Sequence, residues 1–236
     1  MAVDYIVKNL AQVQAQAQAA MQEAKRSAPC TLLAAVKYAL PGELEALLEA
    51  GVTDVGENRV QQLMANADTY AAYGTRVHFI GSLQTNKVKY IIDKVHMIHS
   101  VDSLRLAEEI EKRAAAKGIV INVLVEINSG REESKSGVLP EQAEDLCRAL
   151  LALPHLRLCG FMTMGPRFES EADYRAYFAQ TVALGATLWH TLGMEGEPLY
   201  SMGMSESFAA AIKEGASFVR VGRRLFYGRP EADQNG

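Results

Sequence analysis

Eight short strand-like segments recur along this chain about every 20 to 35 residues, with helical text between them, and that alternation narrows the fold more than any other feature. They cover residues 31–37, 54–58, 77–82, 97–102, 121–128, 156–164, 198–203 and 218–223. The first, Thr31-Leu-Leu-Ala-Ala-Val-Lys37, is a near-continuous apolar run of the kind that a strand covered on both faces needs. Intervening segments such as 42–50 and 103–117 carry apolar residues at helical spacing. Gly51, Gly118 and Gly215 stand where helices should stop. Residues 3–27 contain no Gly or Pro and predict a leading helix, broken at Ser27-Ala-Pro29. Eight strands alternating with helices is the count of a closed (β/α)8 barrel. An open doubly wound sheet usually has fewer strands and a glycine-rich first turn, which is missing after Lys37. No Pro/Ser-rich linker or low-complexity tract divides the chain, so residues 1–236 read as one α/β domain.

Bulk properties then exclude several classes. Apolar residues make up 49% of the chain, ample for a core. The formal net charge of −4 gives no general push toward nucleic acid or anionic membranes. The three cysteines, Cys30, Cys147 and Cys159, are far apart and odd in number, which fits a reducing compartment and neither a disulfide framework nor a zinc site. The first residues lack a basic start followed by an apolar run, and no apolar stretch approaches a membrane span. A soluble cytoplasmic protein is the expectation.

A barrel places active sites at the C-terminal ends of its strands, with phosphate often bound after strands seven and eight. The ends of the eight segments, in order, carry Lys37, Asn58, Ser82, Ser100, Asn128, Thr163, Ser201 and the stretch from Arg220 to Arg223. All are polar and all would face one mouth. A lysine at a strand end is expected to be half desolvated, which favours its neutral, nucleophilic amine. Ser201-Met-Gly-Met-Ser205 and Arg220-Val-Gly-Arg223 offer small residues whose amides approach an anion closely, and Ser205 is placed to cap a helix beginning near Phe208. An aldehyde-seeking amine and an anion cradle would then share one pocket. His78, His96 and His99 are not at metal-ligand spacing with carboxylates and read as ordinary half-buried histidines; no metal site is expected. Tyr70, Tyr73 and Tyr90 read as surface or helix-packing residues, and Trp189 as core.

Seven blocks in order carry a family resemblance: Ala35-Val-Lys37, Val55-Gly-Glu-Asn-Arg-Val-Gln-Gln62, Val77-His-Phe-Ile-Gly-Ser-Leu-Gln-Thr-Asn-Lys-Val-Lys89, Glu133-Ser-Lys-Ser-Gly137, Gly160-Phe-Met-Thr-Met164, Ser201-Met-Gly-Met-Ser205 and Val219-Arg-Val-Gly222. Together they resemble the pyridoxal phosphate homeostasis proteins. The resemblance implies a fold-type III barrel like the N-terminal domain of alanine racemase. It implies pyridoxal 5′-phosphate (PLP) as cofactor, held as an internal aldimine on Lys37. It places Ser201 and the backbone around Gly222 and Arg223 at the phosphate, Arg220 opposite the pyridine nitrogen, and Asn58 on the cofactor wall. The chain departs from the family pattern at Ser82, where His is common, at Ser207, where Asp is common, and at Arg223, where Thr is common.

Two further expectations concern what the molecule does. Arginine at the ring nitrogen keeps its proton and leaves the ring a weak electron sink. Racemases built this way draw a second base from an additional domain, and here only a short tail follows the eighth segment. The expectation is a monomeric carrier without dedicated catalysis, passing PLP to PLP-dependent apoenzymes. The alternatives are a weak PLP-dependent racemase or decarboxylase that drafts Tyr38 or His78, and a Schiff-base aldolase without an organic cofactor.

Overall fold

The computed structural model describes residues 3–133 and 135–229. Residues 1, 2, 134 and 230–236 lie outside that range, and so do the ends of the expected 1–236 domain and one residue of the Glu133–Gly137 block. Eight parallel strands close into a barrel in chain order: β1 Thr31–Ala35, β2 Asp54–Glu57, β3 Arg76–Phe79, β4 Met97–Val101, β5 Ile121–Glu126, β6 Leu156–Met162, β7 Leu199–Ser201 and β8 Phe218–Val221. Closure comes from β1 against β8, with Leu33 opposite Arg220 and Ala34 opposite Val221. The fold is the (β/α)8 barrel that the alternation predicts.

Every strand ends short of the segment expected from sequence. Lys37, Asn58, Ser82, Asn128, Thr163 and Arg223 belong to the segments that leave the barrel, whereas Ser100, Ser201 and Arg220 remain within β4, β7 and β8. Lys37 shows the effect most plainly. Strand β1 ends at Ala35, and Val36–Tyr38 form a 3-10 turn closed by the Ala39 amide donating to the Val36 carbonyl at 2.8 Å.

Helices cover the outside. They are α1 Asp4–Glu23, α2 Glu43–Glu49, α3 Val60–Ala65, α4 Ala67–Ala72, α5 Val88–Ile91, α6 Leu104–Lys117, α7 Ala143–Leu151, α8 Glu171–Thr191 and α9 Phe208–Lys213. Helix α6 starts at Ser103, whose hydroxyl accepts from the Leu106 amide, and stops at Gly118 in the left-handed conformation. In α1 the buried residues Ile6, Leu10, Val13 and Ala20 form one stripe. The same helix anchors the end of the barrel, since Asn9 Nδ2 donates to the carbonyls of Leu225 and Tyr227. The main apolar core lies between helices and strands and includes Leu47, Leu63, Ile91, Ile110 and Trp189. Among the described residues two small apolar clusters stand apart from this core, Leu33, Ala35 and Ile80 in one and Met97, Leu124 and Met162 in the other. Between and beside these clusters the barrel interior is polar.

Candidate functional site

The C-terminal ends of the strands surround a cavity of about 250 Å³. Five of the six residues expected at the site line it: Lys37, Asn58, Arg220, Gly222 and Arg223. Lys37 is exposed rather than half desolvated, because it sits on the turn after β1, and its ammonium lies 4.7 Å from the centre of the Tyr38 ring. Asn58 follows β2 and is half-buried in the wall; its Oδ1 is buried without a hydrogen-bond partner. Arg223 reaches from the end of β8 toward Glu206 at 3.5 Å and stays largely exposed. Gly222 packs its backbone against β1: a side chain there would meet the Ala35 carbonyl oxygen at 3.0 Å.

Ser201 does not line the cavity. It is fully buried below it, and its hydroxyl bonds to Arg220 Nη1 at 2.6 Å and to His99 Nδ1 at 2.8 Å. The sequence reading of Ser201 as an anion donor is thereby redirected, because both contacts of that oxygen point into the barrel. The helix cap also differs from expectation. The residue at the start of α9 is Ser207, whose hydroxyl accepts from the Met204 amide at 3.1 Å, while Ser205 is buried in the cavity wall.

The lining carries five cations, Lys37, Lys135, Arg167, Arg220 and Arg223, against one carboxylate, Glu206. An anionic ligand suits that balance. Arg220 is the buried member. Its Nη2 donates to the Thr163 carbonyl at 2.8 Å and lies 3.5 Å from the Met164 sulfur. Burial pulls it down to about 10, with Glu126 acting in the opposite direction, so it stays charged at neutral pH.

Below the cavity the histidines depart from the sequence reading. His78 and His99 are not half-buried but 1% and 0% exposed, inside the barrel. His99 Nε2 and His78 Nδ1 are 2.9 Å apart, and His78 Nε2 meets Asp54 Oδ1 at 3.1 Å. Arg76 closes the floor with a bidentate pair to Asp54 at 2.8 and 2.6 Å. Burial opposes ionisation of Asp54, yet hydrogen bonds from His78, Arg76 and Thr53 hold its carboxyl well below the usual range. His99 is held well below its ordinary value by burial first, then by His78, Arg220 and His96. The sequence carried part of the signal, since His78 stands between apolar Val77 and Phe79 and His99 follows Ile98 in apolar strand text, but it did not show their partners. Glu126, buried at the end of β5, and Glu57, which accepts from Tyr70 at 2.5 Å under α4, were also missed. Tyr70 is accordingly buried, whereas Tyr73 and Tyr90 are exposed. Trp189 is core, as expected. Of the two residues named as alternative acid/base groups, Tyr38 lines the cavity and His78 does not. Among the described residues no cluster of His, Cys, Asp or Glu is arranged to hold a metal ion, and no helix is long and apolar enough to cross a membrane.

Comparison with known proteins follows the same geometry. The family described as alanine racemase, N-terminal domain, matches residues 8–230. A pyridoxal phosphate homeostasis protein of Aquifex aeolicus is 41% identical over 220 residues, 93% of this chain and 96% of the relative. A solved structure from Bifidobacterium adolescentis superposes with a TM-score of 0.86 at 35% identity, covering 95% of both chains. PipY of Synechococcus elongatus, solved with PLP bound, has a TM-score of 0.81 at 27% identity and covers 94% of this chain and 99% of its own. The barrel, the order of its strand-end residues and these matches along nearly the whole length together make the chain a member of the pyridoxal phosphate homeostasis protein family, built on the fold of the alanine racemase N-terminal domain.

Proposed function

We propose that this protein binds pyridoxal 5′-phosphate at the barrel mouth, tethered through Lys37, and serves the cell's PLP homeostasis without a dedicated reaction of its own. The observation that carries the reading is the convergence of one exposed lysine, a cationic wall and an unpartnered buried amide oxygen on a single cavity. Asn58 Oδ1 supports the fit, since a buried acceptor without a partner is costly unless a ligand donor reaches it. The excess of cations supports a phosphate, and Gly203 and Gly222 let backbone approach it.

Each residue then has a role set by its chemistry. Bound PLP supplies an aldehyde that condenses reversibly with a primary amine and a ring able to take up electron density. Lys37 Nζ provides the tether. Asn58 orients the ring from the β2 side. Gly222 and Arg223 hold the phosphate, with Arg223 standing in for a neutral hydroxyl and adding charge. Ser201 serves Arg220 instead of the phosphate, because both contacts of its oxygen are spent inside the barrel. Arg220 donates toward the ring nitrogen and keeps its own protons at neutral pH, so it offers the ring a hydrogen bond and no proton. A weak electron sink suits storage and transfer better than carbanion chemistry. The protein acts as a cytoplasmic monomer that passes PLP to PLP-dependent apoenzymes.

The visible spectrum of the purified protein tests the reading. A band in the violet that disappears on borohydride treatment, with the resulting mass adduct on the peptide containing Lys37, is expected. An adduct mainly on Lys135 or Lys213 overturns the tether. Tyr38, beside Lys37 in the same cavity, supports a second reading as a weak racemase. Deuterium exchange at the α-carbon of alanine separates the two: trace exchange, far below a typical turnover of about 10 per second, favours the carrier. Exchange at enzyme-like rates that is lost in Lys37→Ala favours the enzyme.

A further inference from the structure

The barrel axis holds an unbroken row of polar groups of which the proposed binding role uses only the last, Arg220, directly. It runs from Arg76 and Asp54 at the floor through His78 and His99 to Ser201 and Arg220 under the cavity. The four inner links, Asp54 to His78, His78 to His99, His99 to Ser201 and Ser201 to Arg220, measure 3.1, 2.9, 2.8 and 2.6 Å. Each is within hydrogen-bond reach. All five side chains from Asp54 to Arg220 are at most 4% exposed, so no water competes for these bonds.

With both rings neutral, the chemistry of the two ends fixes the direction of every link. A guanidinium only donates, so Arg220 gives a proton to the Ser201 oxygen. An ionised carboxylate only accepts, so Asp54 must receive one from His78 Nε2. His78, with its proton on Nε2, then accepts at Nδ1 from His99 Nε2. His99, also protonated on Nε2, accepts at Nδ1 from the Ser201 hydroxyl. Two neutral imidazoles in the same tautomer satisfy all four links at once. The opposite tautomers would set a lone pair of His78 against the Asp54 carboxylate.

We propose that Asp54, His78, His99 and Ser201 form a one-directional hydrogen-bond chain that positions the Arg220 guanidinium beneath the cavity. This rests on the reading of Arg220 as a ligand-facing residue. Along the chain every acceptor faces Arg220 and every donor faces Asp54. The dipoles therefore add, favouring positive charge at the upper end and negative charge at the lower one, and hydrogen bonds in such a row polarise one another. Ser201 and the Thr163 carbonyl fix Nη1 and Nη2 of Arg220 from below and from the side. The remaining guanidinium edge is left to the cavity that Arg220 lines. The other charged or titratable groups near the chain are Arg76, His96, Glu126, Asp102 and Tyr177. No proton needs to move along the chain; its role is orientation. His78, His99 and Asp54 are positioning residues, since they act on the ligand only through Arg220.

The test begins on protein without cofactor, labelled with nitrogen-15 in histidine and arginine. The expected spectra show His78 and His99 at neutral pH both with a proton on Nε2 and a bare Nδ1. They also show Arg220 with separate signals for its two Nη groups, because rotation about the guanidinium is arrested. A cationic ring or the Nδ1–H tautomer at either histidine overturns the directional chain, and this arm needs no variant. Two variants then test positioning. In His99→Gln the amide oxygen can accept from Ser201 while the amide nitrogen donates to His78, so the polarity survives. In His99→Leu it does not. Arg220 should keep separate Nη signals in the glutamine variant and lose them in the leucine variant. PLP affinity should fall about tenfold in His99→Leu, the equivalent of one hydrogen bond to a charged group, and stay within about threefold in His99→Gln. Equal behaviour of the two variants overturns the positioning role. If the wild type shows the arrested Arg220 and the expected tautomers but takes up no PLP, the proposed function fails and the chain stands.

Discussion

At the barrel mouth, Asn58 keeps a buried oxygen without a partner and Lys37 stands exposed beside a ring of cations. Deeper along the same barrel, His78, His99 and Ser201 have both nitrogens of each ring and the hydroxyl oxygen engaged. One set of strands thus carries polar residues in two conditions. Those at the mouth have bonding capacity to spare and are open to a ligand. Those on the axis are complete among themselves, which is the only inexpensive way to keep such groups away from water. Substitutions at the mouth should therefore change binding and leave stability nearly untouched, and substitutions on the axis should cost stability first and reach binding only through Arg220.

Lys37→Ala breaks the mouth most completely. Without a primary amine at this position the covalent PLP band should vanish entirely. Because the residue is exposed and its backbone turn is closed by Val36 and Ala39, the melting temperature should move by no more than about 2 °C. Absorbance and thermal melting on the same sample check both halves. A large loss of stability would mean that Lys37 belongs to the axis class.

His78→Leu breaks the axis. It strands the Nε2 proton of His99 and removes one of the donors that hold Asp54 ionised. Taking one partner from a buried charged network costs about 3–5 kcal/mol, or roughly 10 °C for a chain of this size. Urea unfolding of cofactor-free protein measures it. A cost below about 1 kcal/mol would show that the axis is no more than a set of neighbours.

The contrast explains which parts of the molecule were legible in the sequence. Strand and helix order followed from apolar runs broken by turn residues, and the closed barrel followed from their number. The mouth was legible too, because a strand end is a fixed place in a barrel, and Lys37, Asn58, Arg220, Gly222 and Arg223 all fall there. The axis was not. Ser201 stands at a strand end like the others, and nothing local distinguishes a serine that looks up from one that is engaged by His99 and Arg220, 102 and 19 residues away in sequence. His78 and Asp54 are likewise 24 residues apart, so their meeting depends on barrel closure and register, which periodicity does not report. The desolvation expected for Lys37 failed for a related reason: β1 stops at Ala35, and the turn lifts the lysine into the open.

The two levels should also answer pH in opposite senses. Asp54 has a folded value well below the ordinary one, so its contribution to stability is present above about pH 4, where the unfolded carboxyl ionises, and is lost as pH falls toward the folded value. Glu126, below the mouth, is pushed up to about 7 by burial and then by Asp102, against the pull of Arg220. A raised carboxyl stabilises the fold below the unfolded value and loses that contribution as pH rises through about 7. The span corresponds to about 3 kcal/mol. Unfolding free energies of cofactor-free protein at about pH 3, 5 and 8 should peak at the middle value. Glu126→Gln should shrink the alkaline limb to the smaller part that Glu57 contributes from a value raised by burial to about 6, and leave the acid limb, while Asp54→Asn should shrink the acid limb. Loss of both limbs in either variant would show that the two carboxyls titrate as one unit.

The smallest expected effect comes from the mouth residue with the least to lose. Asn58→Ala removes an oxygen that has no partner in the protein, so no intramolecular bond of that oxygen is broken. What disappears in the free protein is a desolvated acceptor, and stability should rise or hold within about 0.5 kcal/mol. In the loaded protein the same oxygen has a donor to meet, and losing an ordinary hydrogen bond of about 1 kcal/mol should weaken PLP binding about fivefold. Opposite signs for the two quantities identify a group held ready for a ligand. If stability falls with affinity, Asn58 supports the fold through contacts of its own, and the division between mouth and axis has to be drawn above β2 rather than at its end. Titration of PLP against both proteins, with urea unfolding of the unloaded forms, decides between these outcomes.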